Sequence, residues 1–129
     1  MSILKNLFGN SSEENQSSKI NWIPLTDLDQ LNEISIASNE KPMVIFKHST
    51  RCSISRMALK QFENEYALTD DEVTIYFLDL LSFRDISNAI AARFQVEHQS
   101  PQLILIKEEK AIYNASHSDI DAQTLKNKL

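Results

Sequence analysis

The sequence predicts an α/β domain with one mixed β-sheet and helices on both of its faces. Three observations carry this expectation. Met43–Phe46 is continuously apolar, as a central strand covered on both sides is, and Val73–Leu78 is a second run of apolar, β-branched and aromatic residues. Around them lie segments whose apolar residues recur at helical spacing. Near the C-terminus, Gln102–Ile106 and Lys110–Asn114 are separated only by Lys107, Glu108 and Glu109, the spacing of an antiparallel hairpin. The resulting order is β-α-β-α-β-α-β-β-α, with no internal repeat.

Residues 1–19 read as a short N-terminal segment and a polar linker. Ile3, Leu4, Leu7 and Phe8 fit one amphipathic turn, which docks on the domain or a partner or else frays. Gly9–Lys19 is almost wholly polar and aperiodic, as flexible linkers are. The domain proper spans 20–129. Asn21–Leu25 is extended, and Pro24 marks an edge or a strand end. Thr26 and Asp29 have capping-box spacing for a helix to about Ala37, with Leu28, Leu31, Ile34 and Ile36 on its apolar side. After the strand Pro42–His48, a second helix is expected from about Cys52 to Ala67. Its buried face is Ile54, Ala58, Leu59, Phe62 and Tyr66; Glu63 and Glu65 lie opposite. Met43 and Met57 read as core filler. Ser82 and Asp85 repeat the capping spacing before a third helix with Ile86, Ile90 and Phe94 inward. The hairpin turn lacks glycine, which leaves its type open. Ser118 with Asp121 opens a last helix anchored by Ile120 and Leu125.

Composition excludes several function classes. The 129 residues suffice for one domain with its own core, and a 42% hydrophobic content is ordinary for a globular chain. Net charge is −5 with no basic run longer than two residues, so neither nucleic acid nor an anionic membrane is an expected partner. No stretch is long and apolar enough for a signal peptide or a membrane span, and a single cysteine fits a reducing compartment, so the cytoplasm is the expected location. The single glycine, Gly9, excludes a phosphate-cradling loop and a dinucleotide fingerprint. The three histidines are far apart, and no Cys/His spacing suggests a metal. Asp79, Asp85 and Asp119 read as caps or loop residues.

Cys52 lies where a strand gives way to a helix. A thiol at a helix N-terminus meets unpaired backbone N–H groups and the positive end of the helix dipole, which favour the nucleophilic thiolate. With Ser55 three residues on and no second cysteine, any disulfide exchange runs through one sulfur and is finished by an outside thiol. The same residue also fits a small buried hydrophobe. Ser100-Pro101 opens a strand, a position that tolerates either an ordinary trans proline or a cis one; a cis bond would turn the Ser100 backbone groups outward toward an extended substrate.

Phe46-Lys-His-Ser-Thr-Arg-Cys-Ser-Ile-Ser55 resembles the active-site segment of the monothiol bacilliredoxins, YtxJ-like proteins of the bacillithiol system. The element order and the proline before the hairpin strand resemble the thioredoxin-like fold, and the similarity runs from about Trp22 to the last helix. Ser53 departs from the family, which commonly has proline there and so a rigid first helical residue. The resemblance implies that Cys52 removes bacillithiol from mixed disulfides on client proteins. Bacillithiol is then a co-substrate with no tightly bound cofactor, a second bacillithiol or a reductase regenerates the thiol, and the protein acts as a monomer. Ser55, Thr50, Arg51, Lys47 and His48 are candidates for a thiolate-stabilising rim, although alternation along the strand puts neighbours on opposite faces, so Lys47, His48 and Arg51 do not all serve. Ser55 donates a hydrogen bond to the thiolate or else caps the first turn, and Thr50 and Ser49 are candidate caps. Arg51 contacts the carboxylates of bacillithiol's malate or is simply solvated. His48 is a rim residue or a satisfied structural histidine. Gln99, Ser100 and Pro101 are candidates for substrate contact. The competing reading is a thioredoxin-fold binding or sensor module whose cysteine is modified without turnover.

Overall fold

The structure is a computed structural model that describes residues 20–129; the turn expected at Ile3–Phe8 and the linker Gly9–Lys19 lie outside the described residues. Within it the expected order appears: β1 (Ile23–Pro24), α1 (Asp29–Ala37), β2 (Met43–His48), α2 (Ser53–Glu65), β3 (Thr74–Asp79), α3 (Arg84–Phe94), β4 (Gln102–Lys107), β5 (Lys110–Ser116) and α4 (Ala122–Lys128). The strands form one sheet in the order β1-β3-β2-β4-β5. β1, β3 and β2 are parallel, while β4 runs antiparallel to β2 and β5 antiparallel to β4. All six residues of β2 are buried, as its unbroken apolar run requires of a central strand.

Alternation along the strands builds two cores. On one face, Val44, Phe46, Ile75, Leu103 and Leu105 meet Phe62 of α2 and Ala122 and Leu125 of α4. Trp22 closes this side, edge-on to Phe46 at 5.8 Å, with its Nε1 donating to Glu63 Oε2 at 2.9 Å. On the other face, Ile45, Leu78, Ile104 and Ile106 meet Leu31 and Ile34 of α1 and Ile86, Ile90 and Phe94 of α3.

Helix starts and faces depart from the sequence expectations in specific ways. At α1, Gln30 Oε1 reaches back to accept from the Thr26 and Asp27 N–H groups, so Thr26 caps nothing. Leu28 and Ile36 are exposed, because α1 meets the rest of the domain through Leu31, Ile34 and Ser35. The expected inward stripe of α2 holds at Ala58, Leu59, Phe62 and Tyr66 but fails in the first turn, where Ser55 is fully buried and Ile54 is 55% exposed; Met57, expected as core filler, is 72% exposed. At α3, Ser82 Oγ donates to Asp79 Oδ2 instead of capping. Asp121, not Ser118, caps α4 by accepting from the Thr124 N–H at 2.8 Å.

The hairpin turn shows how a glycine-free sequence makes a tight reversal. Glu108 and Glu109 both take positive φ, 51° and 66°, the signature of a type I′ turn. The cost is offset by contacts to the end of α1. Ser38 O accepts from the Glu108 N–H at 2.9 Å, Ser38 Oγ from the Glu109 N–H at 2.8 Å, and Asn39 Nδ2 donates to Glu109 Oε2. Ser38 is buried, so Ser38→Ala leaves the Glu109 N–H without its acceptor and is expected to destabilise the fold by about 1–2 kcal/mol in urea unfolding.

Candidate active site

The pairing of β2 brings the chemistry to one end of the sheet. His48, the last residue of β2, is in register with Asp79, the last of β3. On the other side Lys47 faces Gln102, the first residue of β4, which in turn pairs with Ser116, the last of β5. Four segments therefore leave the sheet together: 49–52 with Cys52, 80–83, 97–101 with Pro101, and 117–120.

Cys52 occupies the N-cap position of α2 in extended backbone, half-buried. Its N–H donates to Ser49 O at 3.2 Å and its carbonyl accepts from Arg56 N at 3.1 Å. No side chain caps this helix, so Thr50 and Ser49 do not have the capping role expected of them. An N-cap side chain stands over the unpaired first-turn N–H groups, which is where an anionic sulfur is best placed.

Ser55 lies beneath this turn. Its hydroxyl accepts from the Ser49 N–H at 3.0 Å and is 2.9 Å from His48 Nδ1. It fastens the nucleophile loop to β2 rather than bonding the sulfur. His48 is buried against Phe77, with ring centroids 5.4 Å apart, and burial holds it below the ordinary histidine range against the opposing charge of Asp79. A neutral imidazole can accept the Ser55 proton at Nδ1. Asp79 Oδ1 is buried beside this cluster, without a hydrogen-bond partner among the described residues.

Lys47 points to the opposite face and is completely buried. Its Nζ contacts His98 Nδ1 at 2.6 Å and donates to Gln102 Oε1 at 3.3 Å; both partners are neutral. Burial lowers its pKa to about 8; burial first, then the charges of Lys47 and Arg84, hold His98 below the ordinary histidine range. His98 Nδ1 is therefore the acceptor. Gln102 completes a brace for the 97–101 loop: Oε1 accepts from the Gln99 N–H, and Nε2 donates to Glu97 O at 3.0 Å. Lys47 thus supports the loop from below instead of flanking the thiol, and the Gln99 N–H is spent internally.

The Ser100-Pro101 bond is cis, and Pro101 O accepts from the His117 N–H at 3.1 Å. Among the described residues the Ser100 backbone groups have no partner, and Ser100 Oγ is buried and unpaired. Thr50 and Arg51 are exposed, with Thr50 O accepting from Arg56 Nη1. Beside Cys52, exposed Ile54 and Met57 line an apolar hollow of about 180 Å³ with Ala58, Gln61, His117, Ser118 and Ile120. His98, Gln102 and Asp79 were absent from the sequence-derived site. The readable signal was positional: each stands at or beside a strand end that central pairing carries to Cys52. Among the described residues no His/Cys/Asp/Glu group suits a metal ion, and no helix is long and apolar enough to cross a membrane.

A family model described as monothiol bacilliredoxin BrxC matches residues 23–125. Among solved structures, one described as an oxidoreductase with a thioredoxin fold is 31% identical, with a TM-score of 0.68 over 81% of this chain and 90% of that one. The thioredoxin Mala s 13 of Malassezia sympodialis is 17% identical, with a TM-score of 0.66 over 91% of this chain and 95% of its own. Thioredoxin NaTrxh of Nicotiana alata is 19% identical, with a TM-score of 0.64 over 88% and 94%. The last two show the fold alone: the chain has a thioredoxin-like fold.

Two outcomes test this geometry. Ser55→Ala is expected to cost about 1–3 kcal/mol in urea unfolding, because it orphans the buried Ser49 N–H and the His48 ring nitrogen. For Lys47, the unfolded amine keeps its proton to the ordinary value of 10.5, whereas the folded one loses it near 8. The unfolded state then binds more protons between these values, so the penalty is full below about pH 8 and relieved as pH rises. Lys47→Met removes that penalty. Its unfolding free energy relative to wild type is expected to fall by roughly 2–3 kcal/mol between pH 8 and 10.5.

Proposed function

The chain belongs to the monothiol bacilliredoxin family, and on that premise we propose that it removes bacillithiol from protein mixed disulfides through Cys52 alone. The observation that carries this reading is the placement of the only cysteine at the α2 N-cap, part-exposed at the sheet end beside the 97–101 loop. The Cys52 thiolate attacks the bacillithiol sulfur, the client–bacillithiol S–S bond breaks, and the client sulfur leaves as a thiolate that takes a proton from water. Cys52 then carries bacillithiol in a new disulfide. A second bacillithiol thiolate attacks the bound bacillithiol sulfur, forming the bacillithiol disulfide and releasing Cys52 as a thiolate; alternatively a reductase supplying two electrons and two protons cleaves the same bond to Cys52 thiol and free bacillithiol.

The surroundings support each part of the cycle. The unpaired Ser100 backbone groups suit an extended client segment, and the hollow lined by Ile54 and Met57 gives apolar contact on the helix that Cys52 opens. Ser55 offers no route to an internal disulfide, and its hydroxyl is already engaged. The reading includes a cytoplasmic, monomeric protein with bacillithiol as co-substrate.

Cys52→Ser is expected to abolish transfer completely while leaving the circular dichroism unchanged. The check is intact mass spectrometry after mixing catalytic amounts of protein with a bacillithiolated and, in parallel, a glutathionylated client. Bacillithiol on Cys52, repeated release of client thiol and poor glutathione transfer are expected. One modification per molecule followed by arrest would make the protein a sensor, and no adduct from either client would overturn the reading.

A further inference from the structure

On the β3–α3 side of the nucleophile loop lies an open cleft of about 440 Å³ lined by Thr50, Arg51, Leu81, Ser82 and Arg84. It begins at the residue next to Cys52. Two guanidinium groups face it and no carboxylate lines it, on a chain whose net charge is −5. Behind it, Ser82 Oγ donates to one carboxylate oxygen of Asp79, Oδ2, at 3.0 Å. A third guanidinium, that of Arg56, fixes the wall by donating to Thr50 O. Arg84 is also near enough to the 97–101 loop to act, after burial and Lys47, in lowering the pKa of His98. The cleft is thus a local cationic concavity in an acidic protein, within reach of whatever is attached to the sulfur being attacked.

We propose that this cleft receives the malate end of bacillithiol, with Arg51 and Arg84 each pairing with one of its two carboxylates. The inference rests on the function proposed above and adds to it the origin of the thiol preference. Arginine forks match carboxylates bidentately, and a site open to water at one side favours such pairs without burying unpaired charge. Malate carries its two carboxylates close together with no cation between them. Glutathione carries its two at opposite ends, one beside an ammonium, so it cannot place both in one cleft. Selectivity then comes from the part of the thiol that takes no part in the exchange.

The test uses one reporter peptide capped in turn by bacillithiol and by 2-mercaptoethanol, and the readout is the ratio of the two rates of cap transfer to Cys52. Wild type is expected to favour the bacillithiol cap. Arg84→Gln and Arg51→Gln are each expected to lower the ratio about tenfold, and Arg84→Lys to lower it less. A ratio unchanged in both glutamine variants overturns the cleft assignment while leaving the bacilliredoxin reading intact. Wild-type protein that accepts the 2-mercaptoethanol cap but not the bacillithiol cap overturns both.

Discussion

The burial of β2 between β3 and β4 is the constraint on which the site depends. A strand with neighbours on both sides and helices over both faces leaves no solvent for its side chains, and this holds for its last two residues, which are polar. Lys47 and His48 therefore need partners, and alternation sends them to opposite faces. Each meets the need with a loop. Lys47 braces the segment that presents Ser100 and Pro101, through His98 and Gln102. His48 holds the segment that presents Cys52, through Ser55 and Ser49. Two buried polar groups at the end of one strand thus fix the two loops between which a disulfide would be exchanged.

The arrangement also explains why a single sulfur is compatible with a well-ordered turn. Ser55 has the place at which a second thiol would make Cys52 part of a dithiol pair, yet here it is structural: fully buried and bonded to the strand below. A hydroxyl accepts an N–H and shares a proton with an imidazole better than a thiol does. Removal of the second sulfur is accompanied by a firmer floor under the first.

Much of the fold was legible because its signals were periodic. The apolar runs of β2 and β3, the Ile86, Ile90 and Phe94 stripe and the hairpin spacing all appear where expected. What escaped were interactions whose meaning depends on a distant partner. Ser55 read as a hydrogen-bond donor to the thiolate or a first-turn cap because nothing local says that its hydroxyl will meet His48. Ile54 looked like core because it is apolar at the right spacing, but α2 turns its Ser55 edge to the sheet. The capping boxes at Thr26, Ser82 and Ser118 failed for a common reason: a different side chain nearby, Gln30 or Asp121, made a better bond, or the serine found a carboxylate first. In the site, Cys52 and the 97–101 loop were readable from sequence order alone. Lys47 was misplaced to the rim, since a lysine at a strand end is ordinarily solvated.

One edge of the sheet has a consequence for how the protein meets others of its kind. β1 contributes two residues, and the second is Pro24, which has no N–H to give. At the opposite edge β5 begins at an exposed lysine and is thrown out of even register by the irregularity at Leu105/Ile106. Among the described residues the β1 border thus offers no long flat row of free amide groups on which another chain could add itself. Extended polypeptide is turned away from that side of the sheet without a helix having to guard it.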